Sequence, residues 1–156
     1  MKKFIILAFI IFSTVNTQAQ NENYSNAIGL RGGMSLGVSF KHFFTNNTAI
    51  EAIVHSRWKG FEVVGLMEHH NEFLGQNGLK WYFGYGAHVG FYDNRVLDSV
   101  NNDAVIVLGA DGIVGVEFVI PNSPIAISAD WKPYFNLIGY SGFYIDGGAI
   151  SVRYVF

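Results

Sequence analysis

Four groupings of side chains in this sequence have residue types that chemistry uses. His55 and Ser56 are adjacent, and an imidazole beside a hydroxyl is the start of a nucleophilic arrangement. Glu68, His69, His70 and Glu72 offer the imidazole and carboxylate ligands that zinc takes. His88, Asp111 and Glu117 could gather into a buried acid–base cluster. The stretch 93–103 holds Asp93, Arg95, Asp98, Ser99 and Asp103, which could bridge divalent cations to phosphates but includes no histidine. What each can do depends on the element that carries it.

Those elements have a period of two. From Leu79 to Tyr92 one face holds Leu79, Trp81, Phe83, Tyr85, Ala87, Val89 and Phe91, and the other Lys80, Tyr82, Gly84, Gly86, His88, Gly90 and Tyr92. The same alternation sets Ile106, Leu108, Ala110, Gly112, Val114, Val116, Phe118 and Ile120 against Val105, Gly109, Asp111, Gly115 and Glu117. It continues through Ile125–Asn136 and Ile150–Phe156, and in shorter form through Ile28–Lys41 and Ile50–Glu68. Turn signals at Gly32-Gly33, Thr45–Thr48, Lys59-Gly60, Gly75–Gly78, Asn101–Asp103, Pro121–Pro124 and Gly139–Gly142 divide the chain into eight antiparallel strands. Trp131 and Pro133 break the pattern of their strand, and a bulge is expected there.

Alternation disposes of most of the chemistry. His55 and Ser56 fall on opposite faces of one strand and cannot share a proton. Glu68, His70 and Glu72 share a face, but their spacing matches no zinc pattern, so a solvated strand end is expected. His88, Asp111 and Glu117 are expected to serve as salt-bridge partners. No catalytic, cofactor or metal residues are assigned.

The composition agrees with a β-rich chain: 50% hydrophobic, 16% aromatic and only 14% charged, with 18 Gly and no Cys among 156 residues. A formal charge of −2 gives no footprint for nucleic acid. Residues 1–19 have the form of a cleaved secretory signal: Lys2 and Lys3, an apolar run from Phe4 to Phe12, and small Thr17 and Ala19 before the expected cut. Nine apolar residues are too few to span a bilayer core of about 30 Å as a helix. Loss of Lys2 and Lys3 from 10 basic and 12 acidic residues leaves residues 20–156 at −4.

The two faces decide between a water-soluble barrel and a membrane barrel. One face collects Arg31, Lys41, Arg57, Lys80, Lys132 and Arg153 with Glu51, Glu62, Glu68, Asp111, Glu117 and Asp130. Equal numbers of opposite charges suit an enclosed lumen, where an unpaired charge costs several kcal/mol. Glycines crowd the same face, as a narrow interior requires. The other face is apolar and carries aromatics toward its ends, Trp81, Phe118 and Tyr154 at one, Trp58, Phe61, Phe91, Phe135 and Phe143 at the other. Such girdles mark lipid-facing barrels. The fold expected is all-β, an eight-stranded antiparallel transmembrane up-and-down β-barrel over residues 20–156, its lumen filled by the charge network with Tyr82, Tyr92 and Tyr134.

The last strand, Ile150-Ser151-Val152-Arg153-Tyr154-Val155-Phe156, alternates to a terminal Phe with Tyr two positions before it. This resembles the C-terminal insertion signal of outer-membrane barrels. With Ile28-Gly29-Leu30-Arg31-Gly32-Gly33, Gly37–Phe43 and Asp130-Trp131-Lys132-Pro133, residues 24–156 resemble the small porin-like, eight-stranded (OmpA/OmpX-type) outer-membrane β-barrel families of Gram-negative bacteria. The resemblance implies outer-membrane location, both termini periplasmic, and insertion by the barrel assembly machinery. Outer-membrane lipid and lipopolysaccharide are the expected partners, with no nucleic acid and a monomeric state. A fold is not a function. A structural or interaction role in the envelope is expected; the alternatives are a narrow passive channel for small solutes and a soluble periplasmic lipid carrier.

Overall fold

The computed structural model describes residues 24–156 apart from 58–59, 74, 76, 93–104, 140 and 146. The signal segment, Trp58 and the 93–103 loop thus lie outside the described residues, as does the side chain of Arg57.

Every regular element among the described residues is a strand: β1 (Asn26–Gly33), β2 (Leu36–Phe43), β3 (Thr48–Arg57), β4 (Gly60–Glu72), β5 (Leu79–Tyr92), β6 (Val105–Val119), β7 (Ile125–Trp131), β8 (Tyr134–Ile138), β9 (Gly142–Tyr144) and β10 (Gly148–Val155). β7 and β8 are two halves of one stave, and β9 and β10 two halves of the next, so ten segments make eight staves. Each stave is antiparallel to its neighbours, and β10 returns to β1 to close the barrel. The seam runs from Ala27↔Val155 to Gly33↔Ala149. It ends with Asn26 N–H donating to the Phe156 carbonyl at 2.8 Å and Phe156 N–H donating back at 2.9 Å. Closure pairs the β1–β10 seam, and among the described residues only the short β9 keeps a single strand partner, β8.

The strict alternation of residues 79–120 produces the longest pair, with β5 and β6 in register from Leu79↔Phe118 to Tyr92↔Val105. Turns fall where punctuating residues lie. Gly75 (φ 64°), Gly78 (φ 80°) and Gly139 (φ 65°) adopt the left-handed backbone that glycine tolerates, and Asn122 (φ 58°) does so between Pro121 and Ser123.

Two local expectations are corrected. Gly32 and Gly33 are not the first turn: both belong to β1, and Met34-Ser35 form the tip. Gly33 is needed for close approach, because a Cβ there would lie 2.3 Å from the Gly148 carbonyl oxygen. The bulge expected at Trp131–Pro133 lies elsewhere. Pairing with β6 keeps one register through Pro133, from Val114↔Trp131 to Asp111↔Tyr134, with Gly112 N–H donating to the Pro133 carbonyl at 2.9 Å. The extra residue is on the partner stave: Trp131 faces Gly148 and Tyr134 faces Tyr144, three steps along one stave against four along the other. A second irregularity falls at Leu108/Gly109.

The side chains divide as the period of two requires. Ile28, Leu30, Val38, Val114, Val116, Phe118, Ile127 and Val152 point outward and are exposed, while Arg153, Lys41, Glu51, Glu68 and Glu117 are buried inside at 1% exposure or less. Glycine makes room for the larger interior groups. A Cβ on Gly115 would lie 2.6 Å from the Tyr82 ring, and one on Gly109 would lie 2.4 Å from the His88 ring.

Candidate functional site, the barrel lumen

The staves place charge at two levels with an apolar layer between. In chain order β3 presents Glu51, Ile53 and His55 inward, β4 presents Glu62, Val64, Leu66 and Glu68, and β6 presents Asp111, Ile113 and Glu117. The polar members lie at the two ends of each set and the apolar members in the middle.

At the level nearer the termini, Lys41 Nζ is 2.8 Å from Glu68, 3.4 Å from Glu117 and 3.7 Å from Glu51. The Arg153 guanidinium reaches Glu51 at 2.5 Å and Glu117 at 3.6 Å, and donates to Ser39 at 3.0 Å and Ser128 at 2.6 Å. Tyr24, ahead of β1, donates to Glu117 at 2.6 Å. Burial, and then the Glu117 carboxylate, push the Tyr24 phenol above its ordinary range. His70 Nε2 lies 3.0 Å from Glu68.

The middle layer packs Ile53, Val64, Leu66, Tyr82 and Ile113 into one buried cluster. Arg31 and Asp130 complete it, joined by two hydrogen bonds of 2.6 and 2.5 Å. Tyr82 belongs to both parts: its ring packs in the cluster and its hydroxyl donates to Asp130 at 3.2 Å. From the level nearer the termini, Lys41 Nζ sits 4.6 Å from the Tyr82 ring centre and His70 stacks on it at 4.8 Å.

At the far level Lys132 pairs with Asp111 and stands 3.9 Å from Glu62. His88 Nδ1 is 2.7 Å from Asp111, and its Nε2 is 3.0 Å from Asn136. His55 Nε2 is 3.1 Å from Glu62, to which Tyr92 donates at 3.0 Å. A cavity of about 20 Å³ beside this group, lined by Arg31, His55, Glu62, Lys132 and Tyr134, has room for about one water.

Of the twelve charged residues assigned to the lumen from sequence, ten are buried within it: Arg31, Lys41, Glu51, Glu62, Glu68, Asp111, Glu117, Asp130, Lys132 and Arg153. Lys80 is half-buried near Phe43, 5.9 Å from its ring centre. Arg57 lies outside the described side chains. The aromatics Phe61, Trp81, Phe91, Phe118, Phe135 and Phe143 are exposed outside the barrel, Tyr154 is half-exposed, and Phe156 is exposed beside it with ring centres 6.1 Å apart. Phe61 and Phe91 stack across strands at 5.0 Å, and Phe135 pairs with Phe143.

The sequence groupings sort differently. His55 is buried while Ser56 is exposed, its hydroxyl donating to the Gly60 carbonyl at 3.1 Å, so the pair does not form. Glu68 and His70 are not a solvated strand end: both are buried and bonded to each other, because their parity carries them into the lumen. His88 and Asp111 meet, but Glu117 stands with Lys41 and Arg153 at the other level. Sequence reasoning missed the apolar middle layer and the part played by Tyr24 and Asn136. The parity signal for the layer was available, since Ile53 is two residues from Glu51 and Val64 two from Glu62.

A closed, eight-stave antiparallel barrel with a charged interior and an apolar exterior is the class of protein this architecture defines. No protein-family model matches the sequence, and no curated protein matches it. Among solved structures the fold is similar to the N-terminal β-barrel domain of Pseudomonas aeruginosa OprF, with a TM-score of 0.70 and 18% identity, covering 89% of this chain and 100% of that domain. The likeness is one of fold. It bears out the resemblance to small eight-stranded outer-membrane barrels at that level.

Proposed function

We propose that the protein is an integral outer-membrane β-barrel of a Gram-negative bacterium, exported by residues 1–19 and inserted with both termini periplasmic. On this reading it has a structural or interaction role in the envelope and no catalytic one. The observation that carries the reading is the inversion of faces: buried charges inside, and Leu30, Leu36, Val38, Ile106, Val114, Ile127 and Val152 exposed outside at between 41% and 75%. Water penalises that exterior and lipid does not. In that setting, membrane lipid and lipopolysaccharide contact the exterior, the assembly machinery reads Tyr154 and Phe156, and the chain acts as a monomer.

A closed lumen is favoured over a narrow channel because Ile53, Val64, Leu66, Tyr82 and Ile113 form an apolar layer between two charge clusters. Ions crossing it would shed water against apolar side chains, where the one charged pair, Arg31 with Asp130, is already bonded to itself and to Tyr82. A soluble lipid carrier would need an apolar cavity inside, where this barrel has salt bridges. The experiment is gel mobility of washed outer membranes with and without boiling in detergent. A heat-dependent shift in that fraction supports the reading; soluble periplasmic protein with no shift overturns it.

A further inference from the structure

The far level of the lumen has a composition the closed-barrel reading does not require. Glu62, His88 and Asp111 each offer one ligand atom within 4.8 Å of the others, and all three residues are buried. Charge pairing alone would need only Lys132 and one carboxylate. Instead the His88 imidazole pairs with Asp111, a second acid, Glu62, offers a ligand atom within 4.8 Å, and His55 is hydrogen-bonded to Glu62 beside them.

We propose that this cluster is a binding site for a divalent transition-metal ion of the Zn²⁺ type, with Glu62, His88 and Asp111 as ligands and Lys132 as the competing resident cation. Three observations carry it. The donor set of imidazole with carboxylates is the one zinc and its neighbours take. Asn136 holds the His88 ring by Nε2 at 3.0 Å and leaves Nδ1 aimed at Asp111, at 2.7 Å. A ligating histidine is fixed through its other nitrogen in this way. Lastly, a cation already occupies the place: the Lys132 ammonium pairs with Asp111 and lies 3.9 Å from Glu62.

Binding exchanges one cation for another. The metal ion takes the carboxylate oxygens and His88 Nδ1, and any proton on that nitrogen leaves to solvent. The Lys132 ammonium withdraws toward the adjacent cavity and the Tyr134 ring, whose centre is 5.1 Å from it. His55 Nδ1 is buried without a partner, on the imidazole bonded to Glu62, and stands next to the exchanged charge.

The test is a Co²⁺ titration of the detergent-folded chain followed by visible absorption, with Zn²⁺ as competitor. One saturable ion per chain is expected. His88→Ala and Asp111→Asn should each weaken binding by about tenfold or more, while Lys132→Met, which removes the competitor, should tighten it. Replacing the half-buried His42 and His69, on the outward face of their strands, by Ala should leave binding unchanged. The proposal is overturned if no saturable band forms, if binding survives His88→Ala, if it follows His42 and His69, or if Lys132→Met leaves affinity unaltered. Should His88→Ala fail to fold by the gel-shift criterion, the direction of the Lys132→Met change decides.

Discussion

Arg31 and Asp130 are 99 residues apart in the chain and meet across the lumen in a two-pronged ion pair of 2.6 and 2.5 Å. They stand on β1 and β7, which are separated by β10, so the pair bridges the barrel over an intervening stave. With Tyr82 bonded to the same carboxylate, it completes the layer between the two charge clusters.

Removing one partner of that pair leaves a buried charge alone. Arg31→Met is expected to destabilise the folded barrel by about 3–5 kcal/mol, whereas Arg31→Met with Asp130→Leu should cost much less, because desolvation of both charges disappears together. Urea unfolding of the barrel in lipid vesicles, run as a double-mutant cycle, measures both.

The apolar layer predicts electrical silence. The unaltered protein in a planar bilayer should show no stable conductance. Leu66→Ala combined with Ile53→Ala hollows the layer, at roughly 2–5 kcal/mol of stability per large deletion, and should admit small ions if the folded form survives. Single-channel recording reads the difference.

Interior glycines should be intolerant and exterior ones permissive. A Cβ on Gly86 would lie 1.9 Å from the Gly65 carbonyl oxygen, and one on Gly65 would meet nothing within 4 Å. Gly86→Ala should therefore abolish the unboiled, fast-migrating form, while Gly65→Ala should leave it intact.

The fold was legible because alternation over residues 79–92 and 105–120 fixes both strand type and face, and one slip in register would turn every charge outward. The identity of the inward residues was legible for the same reason. Their pairing was not: Asp130 and Lys132 are neighbours in sequence but pair with Arg31 and Asp111, since barrel closure decides which staves face one another. Nor was the bulge opposite Trp131 legible, because Pro133 marks a missing donor without telling which stave carries the additional residue. The apolar layer was less legible because Ile53, Val64, Leu66 and Ile113 stand between apolar or glycine neighbours, so polarity does not alternate where the layer lies.

Charge on the outer face should be penalised with depth. Val116→Lys is expected to cost about 2–4 kcal/mol if the position lies near the bilayer midplane, and close to nothing if that face meets water. Reversible unfolding in vesicles, compared with Val116→Ala, gives the value.

The most direct test of the inverted faces is fluorescence quenching by lipids brominated along their acyl chains. Trp81 and Trp131 are both exposed on the apolar exterior, at 36% and 45%, and the Trp131 indole N–H is already satisfied by the Ile145 carbonyl at 2.6 Å. Reconstituted protein retaining only Trp131 should be quenched strongly by the bromolipids and weakly by aqueous iodide. Quenching by iodide with indifference to bromolipid would mean that this face looks into water, and the assignment of the exterior to lipid would be wrong.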